Sequence, residues 1–170
     1  MNIKVAQARD ASALADLFFA TLKANPQYIS HGEIQMGIAT GTFEDGVLRT
    51  EIAPDGHEKW QKYIKIHISD SSFAEVWKAL DDDGRIIGFC VADIEDDGDE
   101  PFGMICDIIV DPTIRSKGVG SALLQTAIDW LRKRGIRDIF LESGKDNHSA
   151  HEFFAKRGFH PISHIFKLED

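Results

Sequence analysis

Residues 108–122 read Ile-Ile-Val-Asp-Pro-Thr-Ile-Arg-Ser-Lys-Gly-Val-Gly-Ser-Ala, and this stretch decides the fold. An apolar strand pattern runs into a short loop with Gly118 and Gly120, and a helical pattern continues to about Arg134. Glycines let a backbone approach a ligand closely, and the free N–H groups at a helix start form an anion site. The stretch therefore predicts a buried strand, a phosphate-binding loop and a long helix.

Two common phosphate-binding motifs do not fit this loop. A P-loop requires Gly-Lys followed by Ser or Thr, whereas Lys117 here precedes Gly118. A dinucleotide fingerprint requires Gly or Ala three residues after Gly120, and that position is Leu123. From this loop alone, the alternative interpretation is an ordinary connection between a strand and a helix that binds no ligand.

A second block follows at residues 147–159, Asn-His-Ser-Ala-His-Glu-Phe-Phe-Ala-Lys-Arg-Gly-Phe. Together with Arg-Ser-Lys-Gly-Val-Gly at 115–120, it resembles the GNAT superfamily of N-acetyltransferases, whose loop has Arg or Gln, two residues, Gly, one residue, then Gly or Ala. The family's second block is Asn-x-x-Ala-x-x-x-Tyr-x-x-x-Gly-Phe. This sequence matches it at every fixed position except the Tyr, which is Phe154 here. The resemblance is good over 73–168 and loose over 1–25.

The resemblance implies acetyl-CoA as co-substrate. We expect no metal, because His148 and His151 are predicted to lie on a surface helix and no third ligand is evident. Loop amides would hold the pyrophosphate, the strand before the loop would pair with the pantetheine arm, Asn147 would hydrogen-bond that arm, and Phe154 would lie near the sulfur. The implied cofactor-binding residues are Ile108, Ile109, Val110, Arg115, Ser116, Lys117, Gly118, Val119, Gly120, Ser121, Asn147 and Phe154.

The implied reaction is direct attack of a primary amine on the thioester in a ternary complex. A general base helps, because an alkyl ammonium has a pKa near 10.4. Asp107, an acid within an apolar strand, and Glu142, at the end of the next strand, are the candidates, and each could instead be structural. The backbone N–H of Val110 is the expected donor to the carbonyl oxygen in the transition state.

The general acid is less obvious, because Phe154 cannot donate a proton. Ser149 or His151 could do so, or the thiolate could leave unprotonated. A GNAT-fold acyl-CoA-binding module with little or no turnover is therefore the alternative function. A third hypothesis is a protein-interaction domain that uses the acidic loop from Asp93 to Glu100.

Composition sets further expectations for this chain of 170 residues. Its length predicts a single domain, 1–170. The net charge of −9 argues against nucleic-acid binding. The start of the sequence shows no signal-peptide pattern and no run is long enough to span a membrane, so we expect a cytoplasmic protein. The expected partner is a small-molecule or protein amine, with no membrane; a homodimer is left open.

The pattern of elements predicts an α/β domain of the α+β type, with a GNAT-like, mixed and mostly antiparallel central sheet flanked by helices. Residues 30–72 are read as a mainly helical segment that shapes the acceptor site. Further predictions are a short strand at 3–6, a helix between Asp10 and Asn25, an antiparallel hairpin at 73–80 and 86–94, strands at 104–110, 136–142 and 162–168, and helices at 120–134 and 147–157.

Overall fold

A computed structural model describes residues 1–96, 100–114 and 118–168. Its helices and strands, in chain order, are β1 (Asn2–Val5), α1 (Ala11–Ala24), α2 (His31–Gln35), β2 (Ala39–Glu44), β3 (Val47–Ile52), α3 (Gly56–Ser69), β4 (Ala74–Leu80), β5 (Ile86–Glu95), β6 (Phe102–Val110), α4 (Val119–Lys133), β7 (Ile139–Leu141) and α5 (His148–Ala155).

The chain divides into two compact units, each built from two separate stretches of sequence. The first contains residues 1–21 and 60–141, and the second contains residues from 22–59 and from 142 onward. The single acetyltransferase domain over 1–170 stays a prediction. No helix in the described ranges is both long and apolar enough to cross a membrane.

The first unit contains a five-stranded sheet in the order β1-β4-β5-β6-β7. Neighbouring strands are antiparallel except β6 and β7, which are parallel. The predicted antiparallel hairpin at 73–94 is confirmed as β4 and β5, and the predicted mixed, mostly antiparallel sheet with flanking helices is confirmed. On one face of the sheet, buried Trp60 of α3 stacks on Phe18 at 4.7 Å and meets Phe89 of β5 at 5.6 Å between ring centroids.

Helix α4 packs closely on the sheet because two glycines leave room for it. A Cβ atom at Gly103 would lie 2.7 Å from Leu131, and one at Gly88 would lie 3.3 Å from both Leu123 and Val119. The predicted helix at 120–134 is thus confirmed, with its apolar side buried. This packing fixes the start of α4 beside the end of β6.

The second unit contains the β2–β3 hairpin, and here the helical interpretation of residues 30–72 is wrong over 39–52. A turn at Asp45 and Gly46 connects the two strands. The φ angles of these residues, 52° and 73°, lie in the left-handed region. Asp-Gly favours a turn with this geometry, because its backbone twist matches the twist of paired strands. The spacing of apolar residues around Phe43 predicts a helix only if the Asp45-Gly46 turn is left out of account.

The predicted last strand at 162–168 is also wrong. Residues 161–168 form neither helix nor strand in the structure, and the side chain of Phe166 is 91% exposed. Apolar residues without strict alternation do not define one buried face, so the pattern alone does not specify a paired strand.

Candidate functional site

Strand β6 has an open edge at its C-terminal half. Its pairing with β5 continues to Val110, whereas its pairing with β7 covers only Gly103–Ile105. Among the described residues, no strand pairs with Asp107–Val110 on the β7 side. An extended ligand that carries amide groups can add to such an edge as a further strand.

The backbone groups along this edge alternate in direction. Asp111 donates its N–H to Ile87 at 2.9 Å, so it points toward β5. Because successive residues of a strand point their backbone groups to opposite sides, those of Val110 and Ile108 point toward the open side. The N–H of Val110, the predicted oxyanion donor, therefore points toward the open side of the strand.

A β-bulge shapes the strand just before this edge. Val91 pairs with Asp107 and Ala92 pairs with Ile105, so Cys106 has no residue opposite it. Bulges of this kind bend a strand and redirect its side chains, and they are frequent beside active sites. The half-buried Asp107, one of the two predicted bases, lies at this bend.

The strand ends in a defined turn. Asp111 Oδ1 accepts hydrogen bonds from the backbone N–H and the hydroxyl of Thr113, at 2.8 and 2.6 Å. These bonds, together with the charge of Arg85, lower the pKa of Asp111. A short 3₁₀ turn at Pro112–Ile114 follows. The predicted loop residues Arg115, Ser116 and Lys117 lie outside the described residues.

Helix α4 starts at Val119 directly after Gly118, whose φ of 77° lies in the left-handed region. Helix geometry leaves the first backbone N–H groups of a helix without an intrahelical acceptor, and at this end the helix begins with Val119 and Gly120. The helix dipole adds partial positive charge at this end. In the first unit, the strand with the open edge, β6, is thus the strand that directly precedes α4 in the chain. The start of α4 has the geometry and dipole that suit an anion.

The predicted residues of the second block belong to the second unit. Asn147 is the N-cap of α5, and its Oδ1 accepts from the Ala150 N–H at 3.3 Å and from the Ser149 hydroxyl at 3.2 Å. His151 donates through Nε2 to the carbonyl of Gly144 at 3.0 Å. These contacts use only the Oδ1 atom of Asn147. The resemblance implies a hydrogen bond from Asn147 to the pantetheine arm, and the side-chain N–H groups are suited to donate it. Phe154 is buried and packs against Phe153 and Phe159.

Glu142, the other predicted base, is not a free carboxylate. Its Oε2 atom is in close contact with Nδ1 of His31 from α2. His31 was missed by sequence reasoning, because nothing local distinguishes a histidine in the first turn of a short helix.

A buried polar cluster lies on the α3 side of the sheet in the first unit. Asp93, predicted to belong to the acidic loop, instead belongs to β5 and is only 8% exposed, 3.3 Å from Nε2 of His67. Burial, with the nearby negative charges of Asp107 and Asp93, raises the pKa of Tyr63 well above its usual value. Burial and the same two carboxylates also raise the pKa of the Cys106 thiol.

The acetyltransferase (GNAT) family profile matches residues 43–159, and the chain belongs to this family. An uncharacterized N-acetyltransferase of Methanocaldococcus jannaschii is 37% identical over 79 residues, which cover 45% of this chain and 35% of that protein. The match thus spans about a third of that relative's length.

Solved structures share the fold over almost the whole chain. A tetramutant of the BH1408 protein from Bacillus halodurans superposes with a TM-score of 0.72 at 17% identity, covering 99% of both chains. A predicted acetyltransferase from Clostridium acetobutylicum, solved with acetyl-CoA, has a TM-score of 0.69 at 18% identity, covering 99% of this chain and 95% of that one.

Proposed function

We propose that this protein transfers an acetyl group from acetyl-CoA to a primary amine of a small molecule or protein. The single observation that carries the proposal is the edge of β6 at Ile108–Val110, which no described strand pairs on the β7 side and after which α4 begins at Val119. The edge suits the amide-bearing pantetheine arm. The helix start suits the pyrophosphate, with Arg115 and Lys117 as nearby cations in the sequence.

The amine must lose a proton before it can attack the thioester carbonyl. With a pKa near 10.4, supplying the neutral amine at pH 7 costs about 4.6 kcal/mol. Asp107 is the base that we favour, because it lies half-buried at the bulge that precedes the open edge. The N–H of Val110 would then stabilise the carbonyl oxygen as negative charge develops on it.

Variants of the two carboxylates distinguish the candidate bases. We expect Asp107→Asn to lower kcat by about 10²–10⁴-fold, the range for loss of a general base, with the Kd for acetyl-CoA unchanged. Glu142→Gln should have a smaller effect, because the Glu142 carboxylate is already engaged by His31. Steady-state kinetics and calorimetry of both variants provide the measurement; a large loss of kcat in Glu142→Gln alone would assign the base to Glu142.

The specific observation behind the alternative function is Phe154. A buried phenyl ring replaces the family's Tyr, and it supplies no proton to the leaving thiolate. Ser149 remains the proposed acid, with His151 as second choice. The thiol of coenzyme A has a pKa near 8.5, like that of cysteine. The thiolate can therefore leave without first accepting a proton. An acyl-CoA-binding module with little or no turnover is the second candidate.

Calorimetric titration with acetyl-CoA tests the binding step, using two matched glycine variants. Gly118 and Gly135 have φ values of 77° and 82°, and a Cβ on either would meet no described atom within 4 Å. Gly118→Trp places an indole at the start of α4 and should raise the Kd for acetyl-CoA at least about tenfold, or 1.4 kcal/mol. Gly135→Trp carries the same backbone strain at the far end of the helix and should bind like the unmodified protein.

Two results would refute this binding site. One is the absence of acetyl-CoA binding by the unmodified protein. The other is an equal loss of affinity in Gly118→Trp and Gly135→Trp, which would assign the effect to strain in α4 instead of to the ligand.

A further inference from the structure

The buried cluster on the α3 side contains three different metal-binding side chains that the proposed transfer reaction does not use. His67 from α3, Asp93 from β5 and Cys106 at the bulge of β6 each offer one donor atom, and these atoms lie within 4.8 Å of one another. His67 and Asp93 are each only 8% exposed. The three donors come from three elements, so the fold assembles them.

The hydrogen bonds of His67 determine which of its nitrogens is available. Nδ1 donates to the backbone carbonyl of Tyr63 at 3.0 Å, so its proton is already used. Nε2 then faces Asp93 Oδ2 at 3.3 Å, and in the neutral imidazole this nitrogen carries a lone pair. Two lone pairs facing each other require a cation or an added proton between them. An N–H···O=C bond on the far nitrogen is also the usual way in which a metal-bound histidine is oriented.

Asp93 supplies an independent observation. Its Oδ1 atom is buried and has no hydrogen-bond partner among the described residues. A buried carboxylate oxygen without a partner is strongly unfavourable, because it loses water and gains nothing in return. A cation bound by this carboxylate would remove that penalty.

The donor set and its spacing both select the type of ion. Two N or O ligands at about 2.0–2.1 Å from a tetrahedral ion lie about 3.3 Å apart, which is the separation of Nε2 and Oδ2. Imidazole, carboxylate and thiolate together suit Zn²⁺, whereas Mg²⁺ and Ca²⁺ prefer oxygen ligands alone. We propose that His67, Asp93 and Cys106 form a Zn²⁺ site with a fourth position for water.

Binding requires one change of protonation at Cys106. The thiol now donates to the carbonyl of Met104 at 3.7 Å. On binding, the S–H bond breaks, the sulfur lone pair forms the metal–sulfur bond, and the proton leaves to solvent. Neither an oxidant nor a reductant takes part.

Cobalt substitution tests the site through a spectrum instead of through activity. Co²⁺ is titrated into the full chain after treatment with a chelator and a phosphine reductant, without acetyl-CoA. We expect a near-ultraviolet thiolate-to-cobalt charge-transfer band and visible d–d bands that saturate at one Co²⁺ per chain, and Zn²⁺ should abolish them. No charge-transfer band in the unmodified protein would overturn the proposal.

The two cysteines provide a matched pair of variants. Cys90 is buried but lies outside the cluster, so Cys90→Ala should keep the band. Cys106→Ala should lose it, and its Zn²⁺ affinity should fall at least about 100-fold, since even loss of an outer partner costs 10–100-fold. An equal band in both variants would overturn the proposal. If circular dichroism shows that Cys106→Ala is unfolded, His67→Gln replaces it, and an unchanged band in that variant is equally decisive.

Discussion

Asp10 illustrates how a single carboxylate connects distant parts of the first unit. Its Oδ2 accepts a hydrogen bond from Lys78 Nζ of β4 at 2.6 Å and from the N–H of Gln7 at 2.7 Å. Both charged side chains are only 11% exposed. Burial alone would raise the pKa of Asp10, but the bonds from Lys78 and Gln7 outweigh it, so the pKa is lowered.

A pH dependence of stability follows from this lowered pKa. The stabilisation from Asp10 is fully present above its unfolded pKa, near 4, and is lost as the pH falls through the lower folded pKa. Asp10→Asn should lower the free energy of unfolding at pH 7 by about 1–3 kcal/mol, because Lys78 loses its charged partner. Urea unfolding as a function of pH measures this.

The control for Asp10→Asn is Asp83→Asn, at an exposed position. The difference in stability between the unmodified protein and Asp10→Asn should shrink below about pH 4, whereas Asp83→Asn should change little at any pH. A difference for Asp10→Asn that stays constant down to the acid limit would contradict the role of its charge.

Gly88 shows how the contact between two elements, β5 and α4, positions the candidate site. A Cβ atom there would lie 2.8 Å from the carbonyl oxygen of Ile109 and 3.3 Å from Val119 and Leu123. Because backbone cannot move away as a flexible side chain can, Gly88→Ala should lower the free energy of unfolding by about 1–3 kcal/mol. Denaturant unfolding provides the measurement.

A helical glycine with free space is the control for Gly88→Ala. The nearest atom to a Cβ at Gly32 in α2 is Ser30 Oγ at 3.6 Å. Gly32→Ala should therefore be neutral or stabilising by up to about 1 kcal/mol, because alanine is the better helix former. Equal destabilisation by both substitutions would mean that the close approach of α4 to β5 is not what Gly88 provides.

The strand–loop–helix unit was predictable because its elements have strong local signals. The apolar run before the loop and the long periodic helix after it specify β6 and α4 within one or two residues. The β2–β3 hairpin carried an equally local signal, Asp45-Gly46, which was overlooked in a segment with mixed periodicity. The exposed segment at 161–168 was overpredicted, because apolar composition does not show that a partner strand exists.

The buried cluster was not predictable, because its members depend on long-range packing. His67, Asp93 and Cys106 are separated by 26 and 13 positions, and only the register of β5 with β6 brings the last two together. Asp93 in particular resembles its acidic neighbours in sequence, yet it is buried while Glu95 and Asp96 are exposed. The same holds for the contact between His31 and Glu142.

Taken over the whole chain, the net charge of −9 is compatible with an anionic co-substrate. Arg115 and Lys117 precede α4 in the sequence, and the amides and dipole at a helix start need no net charge to attract phosphate. The remaining acidity would favour approach of the proposed cationic amine, but it would also raise the pKa of that amine and oppose its deprotonation. A positioned base is therefore still required for turnover.

The most direct test of acetyl transfer is amine-dependent release of coenzyme A. The protein is mixed with acetyl-CoA and a panel of small amines and peptides, and free thiol and acetylated product are measured together by absorbance and mass spectrometry. Transfer predicts equal amounts of thiol and acetylated amine for at least one acceptor, with little thiol released when no amine is present. Tight binding of acetyl-CoA without amine-dependent thiol release across the panel would contradict transfer and favour the binding module.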